Sequence, residues 1–245
     1  MFHVKHGLDQ LVARYDLPPG SREQLSVLLE ALTEDPHAPT TIRDPKQALK
    51  DHLADSLVAL EFEVVRRAGA IADLGAGAGL PGLPLAIARP EASVTLVESN
   101  GRKAEFIART AEACGLDNVN VVAERVEEWT AGAAACDLIT ARALAPLAVV
   151  AEYAAPLLQI GGTLVAWRGR RDPEDEAEGA RAAAELGLLV GDPVRVEPYV
   201  AAVNRHLQPV LKISATPDRF PRRPGMARKR PLGGAPRPSS DRRRR

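Results

Sequence analysis

The run Asp73-Leu74-Gly75-Ala76-Gly77-Ala78-Gly79 places three glycines at alternate positions directly after a short apolar stretch and before a helical one. A strand that enters a helix through glycines turns tightly and lets a ligand approach the backbone closely. The helix start adds free N–H groups and partial positive charge. Dinucleotides and S-adenosylmethionine both use such a turn. The third glycine comes one residue earlier than in the dinucleotide pattern G-x-G-x-x-G. An acid, Asp73, stands two residues before the first glycine. A carboxylate at the turn repels a pyrophosphate, whereas it suits the ammonium and sulfonium of S-adenosylmethionine. Asp73, Gly75, Gly77 and Gly79 are therefore candidate cofactor-binding residues for that methyl donor. Glu98 closes the next apolar run, 19 residues after Gly79. A carboxylate there accepts hydrogen bonds from ribose hydroxyls in either ligand class.

The elements that must hold these residues follow from the periodicity. Leu8, Leu11, Val12 and Tyr15 recur at helical spacing, and so do Leu25, Leu28, Leu29 and Leu32. Pro18-Pro19-Gly20-Ser21 separates the two helices, with Ser21 as a possible cap for the second. A third helix is expected over about 46–67, with Leu49, Leu53, Leu57 and Leu60 on one face. From residue 70 strands are expected at Ala70–Leu74, Ser93–Glu98, Val119–Ala123, Asp137–Ala141, Thr163–Arg168, Pro193–Tyr199 and Gln208–Ala215. Helical stretches at about 80–89, 101–115, 125–130, 145–158 and 173–187 separate the first five strands and follow the fifth. Alternation of this kind implies an α/β fold with a mostly parallel sheet covered on both faces. The last two strands read as a hairpin. The fold class is thus a Rossmann-like, seven-stranded methyltransferase sheet whose final strand is antiparallel, with an N-terminal helical extension. Three units are expected: helices over 1–67, the sheet domain over 68–216 and a disordered basic tail over 217–245.

The overall charge is zero, but the tail carries ten Arg and Lys229 against Asp218 and Asp241. A net +9 in the tail leaves −9 on the other 216 residues, an acidic body with a basic extension. The two cysteines, Cys114 and Cys136, form no CxxC pair or Cys/His cluster, so neither a metal site nor a disulfide framework is expected. No apolar run reaches the roughly 18 residues needed to span a bilayer, and the N-terminus lacks a signal core. A cytoplasmic, monomeric protein is expected.

Beyond the glycines the chain continues Leu80-Pro81-Gly82-Leu83-Pro84. With it come Arg43-Asp44-Pro45, His52-x-x-Asp55-Ser56-Leu57, Glu124-Arg125-Val126-Glu127-Glu128, Ala141-Arg142-Ala143 and Arg205-His206-Leu207, in order. Over roughly residues 40–213 the chain strongly resembles the guanine-N7 methyltransferases of small-subunit (16S) ribosomal RNA, also called glucose-inhibited division protein B. The resemblance implies that Gly75, Gly77, Gly79 and Leu80 line the donor's methionyl and ribose parts and that Glu98 holds the ribose. It also implies that Val126 and Glu127 form the adenine side and that Arg142 lies near the donor methyl and the target base. The chain has Pro39-Thr40-Thr41 where that family usually carries an asparagine, and Arg168 where a lysine is common.

Guanine N7 has a lone pair and no proton, so its attack on a sulfonium methyl needs no general base. Alignment is the catalytic task. An arginine forked onto N7 and O6 is a common way to read guanine, but that contact would cover the nucleophile. Recognition through O6, the N1/N2 edge or stacking is expected instead. Arg142, at the end of the fourth strand and so at the ligand-binding edge of an open sheet, is the candidate catalytic positioning residue. Arg125, Arg168 and Arg205 are candidate RNA contacts. His52 and Ser56 share a helix face without an assigned role. Arg102, Lys103, Arg168, Arg170 and Arg171 follow strands and are expected to gather positive charge at one sheet edge. The partner implied is 16S rRNA or the small ribosomal subunit, with the tail adding sequence-blind attraction. On that reading, deletion of 217–245 weakens RNA binding and spares cofactor affinity. The alternatives are a methyltransferase acting on a small molecule or protein, and a non-enzymatic nucleotide- or RNA-binding module. The intact donor turn disfavours the second.

Overall fold

A computed structural model describes residues 2–234. Helices α1 (Phe2–Tyr15) and α2 (Ser21–Glu34) form where the leucine spacing predicts them. Gly20, not Ser21, caps α2, in a left-handed conformation that a glycine takes without steric cost. Ser21 sits inside the helix, buried.

The expected long third helix is broken into pieces. It comprises α3 (Pro45–Ala48), a π turn over Leu49–Ala54, α4 (Asp55–Leu57), a 3-10 turn over Val58–Glu61 and α5 (Glu63–Arg67). Within it, the Ser56 hydroxyl donates to the His52 carbonyl at 2.6 Å and competes with the backbone ladder. π turns often mark functional sites. Here the change of pitch leaves Leu49, Leu53 and Leu57 in the core while Asp51, His52 and Asp55 reach the end of the sheet.

The sheet is built from β1 (Ala70–Leu74), β2 (Ser93–Val97), β3 (Val119–Val122), β4 (Cys136–Arg142), β5 (Leu158–Arg168), β6 (Leu188–Val190), β7 (Val194–Arg195) and β8 (His206–Lys212). Its order is β3-β2-β1-β4-β5-β8-β6, with β7 also on β8. The first five strands are parallel and β8 runs antiparallel to β5. The sixth strand differs from expectation. Only Val194–Arg195 of Pro193–Tyr199 pairs, and a three-residue strand at Leu188–Val190, too short to show a period, precedes it. Together they act as one interrupted partner of β8.

Helices α6 (Gly82–Ala88), α7 (Gly101–Ala113), α8 (Leu147–Ala154) and α9 (Pro173–Glu185) cover the sheet. The stretch expected as a helix over 125–130 holds two 3-10 turns, Val126–Glu128 and Thr130–Gly132. Strand alternation divides the core. Ile71, Leu138 and Val165 face α1, α2, α6 and α7, while Ala72, Ile139 and Leu164 face α8 and α9. The N-terminal helices thus share one core with the sheet.

The expected disordered tail is corrected over its first part. Phe220 and Ala227 are buried in the α8/α9 core, and Met226–Lys229 forms a short helix, α10. Arg222 pairs with buried Glu152, an anchor 70 residues away in sequence that no local pattern reveals. Residues 235–245 lie outside the described part.

Candidate functional site

The order reverses between β1 and β4, and ligands of open α/β sheets bind at such a switch point, beyond the carboxyl ends of the strands. The glycine turn leaves β1 there and Arg142 ends β4. Gly75, Gly77 and Gly79 have φ of +65°, +60° and +81°, the left-handed region that glycine occupies freely. A Cβ added at Gly75 would stand 2.4 Å from the Leu144 side chain. At Gly77 it would meet only the Gly75 carbonyl, at 3.8 Å. Gly77 therefore leaves open space on its outer side.

That space is a cavity of about 410 Å³, within the range typical of small-molecule sites. Gly75, Gly77, Leu80, Glu98, Lys103 and Arg142 are among its walls, and Pro39, Thr40 and His52 close one side. Glu98 accepts from the Gly77 N–H (3.0 Å) and the Asn100 N–H (2.8 Å). A carboxylate has about four acceptor sites, so two remain for hydroxyl donors. The glycine turn, the acceptor at Glu98 and the cavity volume fit a nucleoside-bearing methyl donor.

Most of the turn's amides, in contrast, are spent internally. Those of Gly75 and Ala76 donate to the Val97 carbonyl, and those of Gly79 and Leu80 to Ala76. Asp73 also departs from expectation. Its side chain is fully buried behind the turn and is absent from the cavity wall. One oxygen accepts from the Gly82 N–H at 2.9 Å and the other from the Thr140 hydroxyl at 2.8 Å, its register partner on β4. Burial raises its pKa to about 7. Asp73 braces the turn and the start of α6, so the electrostatic argument for the donor fails while the glycine spacing stands.

Arg142 is held from three sides. Nη1 donates to Asp55 Oδ2 (2.9 Å) and to the Asp51 carbonyl (3.2 Å), and Nη2 lies 3.5 Å from His52 Nδ1. His52 is buried and its pKa is lowered, by burial first and by Arg142 second. A guanidinium only donates, so the facing Nδ1 of the neutral ring must accept. Nε2 then carries the proton and donates to Thr40 Oγ1 at 2.8 Å. Thr40 is thus the outer end of a chain that starts at Arg142.

Arg142 also lines a second cavity, of about 180 Å³, with Trp167, Arg168, Arg205 and His206. Arg205 lies 3.2 Å from Asp55 Oδ1 and 3.4 Å from Asp51 Oδ1, and Tyr199 donates to Asp51 at 2.5 Å. Trp167 Nε1 donates to the Asp55 carbonyl. Arg168 is paired with Asp175 and Arg171 with Glu176. The acidic first turn of α9 therefore neutralises charge expected to be free at this edge. Arg125 is exposed and lines neither cavity. Val126 packs into the α8/α9 core and Glu127 accepts from the Gly225 N–H at 2.8 Å, so neither lines the cavity directly. Asp51, Asp55 and Arg228 are members of the site that sequence reasoning missed, while Lys103, expected at a charged sheet edge, lines the larger cavity. Asp55 lay within a recognised segment, but its partners are 87 and 150 residues away. Among the described residues, no group of three or more His, Cys, Asp or Glu side chains is placed to hold a metal ion, and no helix is long and apolar enough to cross a membrane.

Residues 23–196 match the family described as rRNA small subunit methyltransferase G. The chain belongs to this family. A ribosomal RNA small subunit methyltransferase G of Rubrobacter xylanophilus is 42% identical over 95% of this chain and 94% of its own. The protein of the same name from Chloroflexus aggregans is 43% identical over 79% and 82%. Among solved structures, a SAM dependent methyltransferase from Aquifex aeolicus superposes with a TM-score of 0.53 at 17% identity. That match spans 76% of this chain and 97% of the other, a likeness of fold.

Proposed function

We propose that the protein transfers the methyl group of S-adenosylmethionine to N7 of a guanine in 16S rRNA, with Arg142 positioning the reacting groups. Membership of the family makes the chain a methyltransferase of small-subunit rRNA that uses S-adenosylmethionine. The observation that carries the finer reading is that Arg142 lines both cavities. The larger holds the glycine turn and Glu98, and the smaller holds Arg168, Arg205 and Trp167.

The donor supplies an electrophilic methyl on a sulfonium. Gly77 leaves room for it, and Glu98 offers carboxylate oxygens to hydroxyl donors. Arg142 stands between the cavities with its fork fixed by Asp55, Asp51 and His52, so it orients neighbours without searching for its own rotamer. N7 carries no proton, and the mechanism asks none of these residues to remove one. His52, neutral and hydrogen-bonded at both nitrogens, is a spacer between Arg142 and Thr40. Lys103 gives the rim positive charge for a phosphate backbone, while Arg205 offers donors from within its pairs with Asp51 and Asp55.

The experiment is incubation with methyl-labelled S-adenosylmethionine and either naked 16S rRNA or intact small subunits. Label is expected in the RNA. Label in neither substrate contradicts the reading.

A further inference from the structure

The segment after β8 has no step in the mechanism above, although Arg228 from it lines the donor cavity. It is nevertheless fastened to the catalytic domain at three points. Arg222 makes a two-pronged pair with Glu152, whose side chain is almost fully buried. A lone carboxylate there would be costly, so the pair is a structural requirement of α8. Phe220 and Ala227 fill the core between α8 and α9. Arg219 pairs with Glu185 of α9 at 2.9 Å.

From these anchors the chain runs to the donor cavity. Gly225 turns with φ +80° and its N–H occupies the Glu127 carboxylate. One turn later, Arg228 Nη2 donates to the Leu144 carbonyl at 2.9 Å, and the Arg228 side chain lines the same cavity as Gly75, Gly77, Glu98 and Arg142. Leu144 in turn packs against Gly75. One strap therefore touches the Glu127 segment, the Leu144 loop and the open rim between them.

We propose that residues 217–234 complete the methyl-donor site, with Arg228 a donor-binding residue supplied from outside the sheet and its glycine turn. This rests on the reading that the cavity takes S-adenosylmethionine. A guanidinium offers five N–H donors in a planar fork. The donor presents matching acceptors in its carboxylate, ribose oxygens and ring nitrogens. Bound ligand and docked strap then stabilise each other, because each supplies part of the other's surface. The inference reverses the expectation that removal of this segment spares cofactor affinity.

The test uses the full chain and S-adenosylhomocysteine, the donor's demethylated product, so that no turnover intervenes. Calorimetry compares the parent, Arg228→Ala and Lys229→Ala, a matched loss of charge from the same helix outside the cavity wall. Arg228→Ala is expected to weaken binding about tenfold or more, with Lys229→Ala within about twofold of the parent. Saturating ligand is also expected to slow tryptic cleavage at Arg228–Arg230 about fivefold or more in the parent and less in Arg228→Ala. Equal affinity in parent and Arg228→Ala overturns the assignment. A parent that binds no S-adenosylhomocysteine overturns the donor reading of the cavity itself, and the strap inference falls with it.

Discussion

Arg142 and Asp55 meet at 2.9 Å across the joint between the N-terminal helices and the sheet, and Arg205 approaches the other oxygen of the same carboxylate at 3.2 Å. One buried acid thus pairs with two arginines, one at the end of β4 and the other just before β8. Burial raises the Asp55 pKa while the two guanidiniums oppose that shift. The helical extension is in this way a part of the candidate site.

Replacing Asp55 with Ala leaves two cations facing each other with little solvent. Loss of one partner from a buried pair costs about 3–5 kcal/mol, and partial exposure of Arg205 places the expectation near the lower figure. Urea unfolding of Asp55→Ala reads this directly. A change below about 0.5 kcal/mol, the scale of an ordinary surface substitution, would show that the carboxylate does not hold the joint.

Arg142→Ala is expected to lower kcat about 100-fold while the affinity for S-adenosylhomocysteine stays within about threefold, because the residue orients the reaction more than it holds the donor. Arg142→Lys keeps the charge and loses the fork, so it recovers little. Single-turnover kinetics beside calorimetry separates the two quantities. Equal losses in both would move Arg142 into the donor pocket.

The glycines of the turn should fail in different ways. Gly77→Ala forces a methyl into the cavity at φ +60°, which costs about 1 kcal/mol of backbone strain and weakens donor binding while the fold persists. Gly75→Ala collides with Leu144 and is expected to lose about 1–3 kcal/mol of stability. Thermal melts and ligand titrations on the two variants distinguish them.

Asp73 makes stability fall as pH rises. Its folded pKa of about 7 lies above the ordinary carboxylate value of 3.8. Between those values the folded state holds a proton that the unfolded state has released, so its contribution is lost progressively from about pH 4 to pH 7. Asp73→Asn cannot titrate and keeps an acceptor for Gly82. Urea midpoints at pH 5 and pH 7.5 should converge in that variant relative to the parent. An unchanged difference would mean that Asp73 is ionised in the fold throughout the range.

Much of this architecture is legible in the chain. Alternating apolar runs located the five parallel strands, since buried β residues leave a continuous signal. The glycine turn and Glu98 stand out because a strand-to-helix turn tolerates few residue types. The rest depends on distance in sequence or on broken periods. The π turn at Leu49–Ala54 interrupts the 3.6-residue repeat, so the alignment of Asp51, His52 and Asp55 toward Arg142 has no local signature. Two and three paired residues at β7 and β6 are too few to show alternation. Asp73 reads as a ligand's counter-charge until its burial is known. The docked strap lacks periodicity altogether, because two ion pairs and two apolar side chains anchor it.

The position of the methyl group decides the reading of the reaction. N7-methylation leaves the guanine ring cationic, so borohydride reduction followed by aniline cleaves the RNA chain at that base alone. After reaction of parent protein with 16S rRNA or small subunits, the account predicts a single new scission at a guanine. Over the same reaction time it also predicts scission weaker by about the same 100-fold factor when Arg142→Ala replaces the parent at equal donor occupancy. Methyl label incorporated without scission would place the group on another atom and contradict it.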